Sequence, residues 1–273
     1  MRPKIYLFGD SITEESFRDG GWGASLANLI SGTVDVVLRG YSGYNSRWAL
    51  KVLFPAAESG GSDGASPPPL AVTVYAAFQQ VPVDEYKQNL HSIVSSLKVH
   101  IPLSTDINFT CLSSFMRKGY FIGRREPWTL AWLVKQPLWL GSGPKRWPKA
   151  LILLITPPPI DEDERLGHPY AENPSGLPER TNEATCAFAK ACVETTGECG
   201  IPVVDLRTRM QQYPDWRKAH VRDGLHLTQD GNKVVFEEVV KKLNVGGLSL
   251  EKLTVDLPLL ADIDHGDPLK AFQ

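Results

Sequence analysis

Short runs of strand-forming apolar residues alternate with helix-compatible stretches, and this alternation constrains the fold of the chain more than any other feature. The predicted strands are residues 4–8, 34–38, 70–75, 150–155 and 201–204. The predicted helices include Trp22–Ile30 and Glu179–Thr196, and the others end near residues 53, 97 and 243. Strands that alternate with helices form a parallel sheet that is covered on both faces, so the sequence predicts an α/β fold.

The first strand runs directly into the tripeptide Gly9-Asp10-Ser11, and a helix-compatible stretch follows to about Ile30. A serine at the carboxyl end of a buried strand, next to a helix N-terminus, lies where open α/β sheets bind their ligands. Backbone N–H groups at such a position favour developing negative charge. Short Gly-Asp-Ser strings are more often ordinary turns, so this motif alone leaves the role of Ser11 open.

A possible base and its carboxylate partner occur near the other end of the chain, in Asp223-Gly224-Leu225-His226. A serine hydroxyl becomes a good nucleophile when a histidine takes its proton and a carboxylate orients that histidine. The three-residue separation allows Asp223 to reach one ring nitrogen of His226 while the other ring nitrogen faces the serine. An exposed turn with solvated Asp and His side chains is the alternative. His220 is a weaker candidate base, and His168 is expected to be a solvated loop residue.

Five segments together resemble the SGNH (GDSL-type) esterase superfamily, most closely its isoamyl acetate-hydrolysing esterases and plant GDSL esterase/lipases. The segments are Phe8–Thr13, Gly20–Gly23, Leu38–Trp48, Ile155–Pro159 and Asp223–Leu227. This resemblance implies a three-layer αβα sandwich around a five-stranded parallel sheet with a flavodoxin-like arrangement. No shift in composition marks a second core, so we expect a single domain over residues 1–245, interrupted by an atypical insertion at about 99–143. The tail at 246–273 ends in charged, Pro-containing sequence and is expected to be loosely packed or disordered.

The resemblance further implies which residues perform the chemistry. Ser11 would be the nucleophile, His226 the base and Asp223 the residue that orients the base. The backbone N–H groups of Ser11 and Gly43 would stabilise the oxyanion, whereas we assign Gly40 to the turn after the second strand. For both glycines, a turn that needs positive φ is the alternative explanation. The implied substrate is a small-molecule ester, and no metal or organic cofactor is needed.

The sequence departs from the family pattern after the third strand. A Gly-x-Asn-Asp block, whose asparagine donates to the oxyanion, is expected there, but residues 76–80 read Ala-Ala-Phe-Gln-Gln. No asparagine occurs between Asn45 and Asn89. Gln79 or Gln80 is chemically able to donate instead, although we expect neither to replace it. Loss of one oxyanion donor typically costs roughly two to three orders of magnitude in turnover, which predicts a slow esterase.

A second departure is the segment 99–143, which has no counterpart in the family pattern. It is rich in apolar and aromatic residues but shows little periodicity, and so long a loop inside a domain is normally functional or disordered. A lid or an acyl-binding cap is one interpretation. We favour an alternatively spliced or mispredicted gene product, because both departures are abrupt while the flanking sequences match the family well.

Composition excludes some classes of function and indicates a compartment. The formal net charge is -2, and no basic stripe with interleaved aromatic residues is present, which argues against a nucleic-acid partner. The most apolar segment, Trp128–Leu140, is too short to span a membrane and contains Lys135 and Pro137. The first strand begins near the N-terminus, which leaves no room for a signal peptide, so we expect a cytoplasmic protein. Its cysteines are then expected as thiols, namely Cys111, Cys186, Cys192 and Cys199.

Three functions remain open from the sequence alone. The first is a serine esterase that acts on acetyl or other short- to medium-chain acyl esters. The second is a catalytically silent binding or regulatory protein that keeps the fold, which the missing asparagine favours. The third is an acyltransferase that uses the same triad with an alcohol acceptor. The sequence indicates neither the alcohol portion of the substrate nor the oligomeric state.

Overall fold

The computed structural model describes residues 2–58, 68–75, 81–98, 147, 149–170, 172–173, 175–248 and 250–272. The atypical segment 99–143, the loop 76–80 with Gln79 and Gln80, and most of the Gly- and Pro-rich segment 60–69 lie outside this part of the chain. Cys111 lies outside it as well.

A single parallel sheet forms the centre of the described structure. Its strands are β1 (Lys4–Gly9), β2 (Asp35–Gly40), β3 (Ala71–Tyr75), β4 (Leu151–Ile155) and β5 (Val203–Val204). The spatial order is β2-β1-β3-β4-β5, and every neighbouring pair is parallel. The five-stranded parallel sheet predicted above is therefore confirmed, and its order is that of flavodoxin-like folds.

Nine α-helices accompany the sheet in the described residues. They are α1 (Ser11–Glu14), α2 (Trp22–Leu29), α3 (Ser46–Glu58), α4 (Val83–Lys98), α5 (Glu162–Gly167), α6 (Asn182–Cys199), α7 (Leu206–Gln211), α8 (Trp216–His220) and α9 (Gln229–Val245). Of the described helices, none is both long and apolar enough to cross a membrane.

The two faces of the sheet carry separate apolar cores because successive side chains of a strand point to opposite faces. Ile5 and Leu7 of β1 pack on one face with residues of α2, α7, α8 and α9. Tyr6 and Phe8 pack on the other face with residues of α3, α4 and α6. Burial of each large apolar side chain contributes about 1.5–3 kcal/mol, so helices cover both faces and leave the strand ends free to carry polar side chains.

Local structure differs from the sequence expectation in two places. The stretch between Ser11 and the predicted helix is divided, because α1 ends at Glu14 and a 3₁₀ turn covers Glu15–Phe17; α2 then begins at Trp22, as predicted. The segment that follows β4, expected to be a loop, contains α5, and α6 begins and ends three residues later than expected.

Residues 250–272 contain three short 3₁₀ turns and contact the N-terminal part of the chain. Asp256 accepts two hydrogen bonds from the guanidinium of Arg2, at 2.9 and 3.0 Å. The backbone N–H of Asp256 also donates to the carbonyl of Gly32 at 3.2 Å. The C-terminal residues are thus linked to Arg2, which precedes β1, and to Gly32, which precedes β2.

Candidate active site

Ser11 is the first residue of α1 and follows the carboxyl end of β1. Asp10 caps this helix, since its carboxylate accepts a hydrogen bond from the N–H of Ile12 at 3.0 Å. Gly9 is required for packing, because a Cβ atom there would lie 2.7 Å from the carbonyl oxygen of Tyr75 on β3. The Gly-Asp-Ser sequence therefore provides a close contact, a helix cap and a serine at the sheet edge.

The loop that carries Asp223 and His226 connects α8 to α9. A single β-bridge between Val221 and Leu227 closes the loop at its base. Inside it, one carboxylate oxygen of Asp223 accepts hydrogen bonds from the N–H groups of Leu225 at 3.1 Å and His226 at 2.6 Å. An Asp side chain that bonds to the backbone two residues later stabilises a tight turn. The same carboxylate thus shapes the loop and orients the imidazole.

The structure brings Ser11, His226 and Asp223 together. The Nε2 atom of His226 lies 3.0 Å from the Oγ atom of Ser11. The Nδ1 atom of His226 lies 2.6 Å from Oδ2 of Asp223, the carboxylate oxygen that the turn does not use. The imidazole side chain is 12% exposed and the carboxylate 23%. This arrangement allows proton transfer from the serine hydroxyl to an oriented histidine.

Electrostatics keep Asp223 in its carboxylate form. Burial alone raises the pKa of this carboxyl group, but hydrogen bonds from the side chain and backbone of His226 outweigh it. The pKa of Asp223 is consequently held well below its ordinary value. An ionised Asp223 at neutral pH fixes the imidazole with its proton on Nδ1 and its acceptor nitrogen toward Ser11.

Asp10 responds to burial in the opposite way. Loss of hydration raises the pKa of this carboxyl group to about 7, because the hydrogen bond from Ile12 and the positive charge of Arg180 offset only part of the cost. The carboxyl group next to Ser11 in sequence thus has a pKa near neutral pH.

The two glycines that follow β2 serve different purposes. Gly43 has φ of +78°, and a Cβ atom there would meet nothing within 4 Å, so turn conformation is what requires a glycine. Positive φ was wrong as an explanation for Gly40, which lies in extended strand. There a Cβ atom would lie 2.1 Å from the backbone nitrogen of Glu14, so close packing of α1 against β2 requires the glycine.

The other candidate nucleophiles and bases lie apart from Ser11. His220 is buried, its ring packs edge-on against Tyr213, and burial lowers its pKa. His168 is exposed and contacts the backbone oxygen of Glu164. Burial raises the pKa of the Cys192 thiol to about 12, which keeps it protonated and unreactive. Within the described ranges, no group of three or more His, Cys, Asp or Glu side chains is arranged to hold a metal ion.

Sequence reasoning missed Arg165, a buried residue of α5 that contacts the Asp223 loop. Its guanidinium donates a hydrogen bond to the backbone carbonyl of Asp223 at 3.2 Å. The same nitrogen lies 3.6 Å from Oδ2 of Asp223. A single arginine in a polar, proline-rich stretch carries no sequence pattern that distinguishes it from a solvated residue, so this contact emerges only from the fold.

Comparison with known proteins assigns the chain to a family. Residues 5–64 and 60–239 match the family described as GDSL-like lipase/acylhydrolase. A GDSL esterase/lipase of Arabidopsis thaliana is 50% identical over 287 aligned positions, which cover 100% of this chain and 98% of the relative. An isoamyl acetate-hydrolyzing esterase 1 homolog of Rattus norvegicus is 32% identical over 288 positions, which cover 96% of this chain and 94% of the relative.

Solved structures agree with this assignment at the level of the fold. A lipase/acylhydrolase from Enterococcus faecalis matches with a TM-score of 0.55 and 20% sequence identity, covering 94% of this chain and all of the matched chain. The SGNH resemblance inferred from sequence motifs is thus confirmed. This chain belongs to the GDSL-like lipase/acylhydrolase family, whose members are carboxylic ester hydrolases.

Proposed function

We propose that this chain hydrolyses carboxylic esters with Ser11 as the nucleophile, His226 as the general base and Asp223 as the residue that orients the base. The observation that carries this proposal is the continuous chain of contacts from Ser11 Oγ through the imidazole to Asp223, at 3.0 and 2.6 Å. Membership of a family of ester hydrolases supports the reaction class.

The proposed reaction has two halves. Ser11 Oγ attacks the ester carbonyl carbon while Nε2 of His226 takes the hydroxyl proton. The backbone N–H groups of Ser11 and Gly43 stabilise the negative oxygen of the tetrahedral intermediate. His226 then gives its proton to the departing alcohol, which leaves an acyl group on Ser11. Water, activated by the same imidazole, hydrolyses this acyl-enzyme and regenerates the serine.

The proposed substrates are acetyl and other short- to medium-chain acyl esters. Support comes from the relative in Rattus norvegicus, which its name describes as an isoamyl acetate-hydrolyzing esterase homolog. This ester combines a two-carbon acyl group with a small branched alcohol. The length of the acyl group is therefore proposed from similarity to this relative. The geometry of the triad supports ester hydrolysis as the reaction but says nothing about acyl length.

We further propose that turnover is slow because one oxyanion donor is missing. Residues 70–82 pass from the third strand to Val81-Pro82 without a Gly-x-Asn-Asp block. The alignment with the relative in Arabidopsis thaliana spans 287 positions, more than the 273 residues of this chain, so the relative contains residues that this chain lacks. The same absence favours the alternative function, a catalytically silent binding or regulatory protein.

Labelling with a fluorophosphonate, which reacts covalently with activated serines, separates an enzyme from a silent protein. We expect the wild-type protein to carry the label on the peptide that contains Ser11, and Ser11→Ala to carry none. Ser25→Ala, which changes an α2 serine bonded to the carbonyl of Gly21, is the matched control and should label normally. A folded wild-type protein that takes no label, or takes it elsewhere, would overturn the proposal.

Product analysis distinguishes hydrolysis from acyl transfer, since both reactions share the labelled acyl-enzyme. Addition of a short alcohol should leave free acid as the main product if the chain is a hydrolase. Accumulation of a new ester would instead show an acyltransferase.

A cytoplasmic location is also proposed. Among the described residues, Cys186, Cys192 and Cys199 are free thiols, which is the expected state in a reducing compartment. Imaging of a fluorescent fusion tests this location directly.

A further inference from the structure

Arg165 is a buried cation beside the catalytic machinery. Its side chain is 2% exposed, although arginine is almost never buried unless it is paired. Its partners are the carboxylates of Asp223 at 3.6 Å and Glu179 at 3.5 Å, together with the ring of Tyr170, whose centroid lies 4.3 Å from the guanidinium carbon. The partner oxygen on Asp223 is Oδ2, the atom that also accepts from His226.

The fold holds Arg165 in place through the backbone of α5. The N–H of Asp161 donates to the carbonyl of Gly224 at 3.0 Å, which joins the start of α5 to the turn that contains Asp223. Gly224 has φ of +77°, and a Cβ atom there would lie 2.6 Å from the backbone nitrogen of Arg165. Helix and turn therefore pack against each other with no space for a side chain between them.

We infer that Arg165 is a positioning residue for the triad, which holds Asp223 in register with His226. This inference rests on the proposed function of Ser11, Asp223 and His226. The guanidinium acts through two contacts: its hydrogen bond fixes the backbone of the turn, and its charge balances the carboxylate that faces the imidazole.

The charges around this group determine the direction of the effect. Arg165 contacts two carboxylates, and a second cation, Arg180, lies 5.5 Å from the centroid of the same Tyr170 ring. The carboxyl group of Asp10 also interacts electrostatically with His226. A positive charge beside Asp223 disfavours protonation of the imidazole, whereas the negative charge of Glu179 weakens that effect.

Two substitutions should thus shift the titration of the His226 ring in opposite directions. Arg165→Met removes the cation but keeps most of the side-chain volume, and should move the titration midpoint upward. Glu179→Gln leaves Arg165 to act on Asp223 alone and should move the midpoint downward by a smaller amount. Arg165→Lys keeps the charge without the planar fork and should lie between Arg165→Met and the wild type.

Nitrogen NMR of the full-length protein with labelled histidine measures this titration without any need for turnover. His226→Gln assigns the signal. Arg217→Met is the matched control, because Arg217 is an exposed arginine of α8 paired at 3.9 Å with Asp163, and it should leave the midpoint unchanged. In parallel, Arg165→Met should lower kcat for p-nitrophenyl acetate by up to about a hundredfold, because a displaced base no longer reaches Ser11 Oγ.

The opposite signs separate a positioning role from a merely structural one. An unchanged midpoint in folded Arg165→Met, or an upward shift in Glu179→Gln, would overturn the inference. If Arg165→Met does not fold, Glu179→Gln alone decides, since it retains an amide oxygen to accept the hydrogen bond from the N–H of Tyr170. Midpoints that shift as expected in a protein that no fluorophosphonate labels would refute the proposed function but not the role of Arg165.

Discussion

The carboxyl group of Asp10 caps the helix that begins with Ser11, yet it is almost completely buried. A helix cap favours an acceptor at this position, whereas burial disfavours its charge. These opposing demands raise its pKa from 3.8 to about 7. Because the folded protein binds a proton that the unfolded chain has released, Asp10 makes the protein less stable as the pH rises from about 4 to 7.

Asp10→Asn should remove this pH dependence and keep the cap, since the amide oxygen still accepts from the N–H of Ile12. We expect the difference in Tm between the variant and the wild type to change in favour of the variant when the pH is raised from 4.5 to 8. Thermal unfolding of both proteins at the two pH values measures the change. A difference between the two proteins that is the same at both pH values would show that the side chain is not buried as a titrating acid.

Individual functional residues could be predicted from the sequence only where a short motif of neighbouring residues indicates their role. Ser11, Asp223 and His226 could be proposed from the sequence because each lies in a short motif whose turn geometry follows from neighbouring residues. Arg165 could not be, because its contact with Asp223 joins residues 58 positions apart through the packing of α5. The sequence shows that residue 165 is an arginine, but it does not show that its guanidinium lies beside Asp223.

At the scale of elements, the site depends on how closely α1 approaches the end of β2. Gly9 and Gly40 are paired in adjacent strands, and Gly40 lies against the backbone of Glu14. Two small residues therefore let the helix that carries Ser11 lie directly on the sheet edge. The sequence suggested a turn requirement for Gly40, because glycine after a strand commonly indicates a turn and no local pattern reveals a close approach.

Alanine substitutions at Gly40 and Gly43 should separate close packing from turn conformation. Gly40→Ala forces a Cβ atom against the backbone of Glu14, so we expect a loss of about 3 kcal/mol or more in the free energy of unfolding. Gly43→Ala meets open space and should cost only about 1–2 kcal/mol, the strain of a side chain at positive φ. Urea unfolding of the two variants beside the wild type measures both values.

Esterase activity gives a second readout for this pair. Gly40→Ala should lower the activity of the folded fraction, because displacement of α1 moves Ser11 away from His226. Equal losses of stability in the two variants would contradict the assignment of Gly40 to close packing.

The other helices and strands could be predicted from the sequence where their hydrophobic pattern was strong. The five strands were found because each is a short apolar run next to a turn, and parallel strands buried on both faces read in this way. The start of α2 at Trp22 was predicted, whereas the division of the preceding residues into α1 and a 3₁₀ turn was missed because these residues are helix-compatible. Helix α5 was missed because it is only six residues long and its flanks are polar.

At the scale of the whole molecule, the strand order explains why residues from both ends of the chain meet. β1 lies inside the sheet between β2 and β3, so Ser11 lies at the carboxyl edge of the sheet, where the loop between α8 and α9 brings His226 within 3.0 Å of it. This convergence follows from the general rule that ligands bind at the carboxyl ends of parallel strands. The sequence alone could supply it only through family resemblance, since the order of strands is not a local property.

The same topology explains why the absence of a Gly-x-Asn-Asp block after the third strand matters. β3 is the neighbour of β1, and its last residue, Tyr75, pairs with Gly9. A donor loop that follows β3 would therefore lie beside Ser11. Without the asparagine, two backbone N–H groups, those of Ser11 and Gly43, remain as the proposed oxyanion donors, and turnover should be slower by roughly two to three orders of magnitude.

Hydrolysis of p-nitrophenyl acetate by the purified wild-type protein and by Ser11→Ala tests the central claim most directly. Circular dichroism establishes that both proteins are folded, and the relative from Arabidopsis thaliana, assayed alongside, provides the rate scale. We expect slow turnover by the wild type that disappears in Ser11→Ala. Identical rates for the two folded proteins would contradict it, because they would mean that Ser11 performs no chemistry.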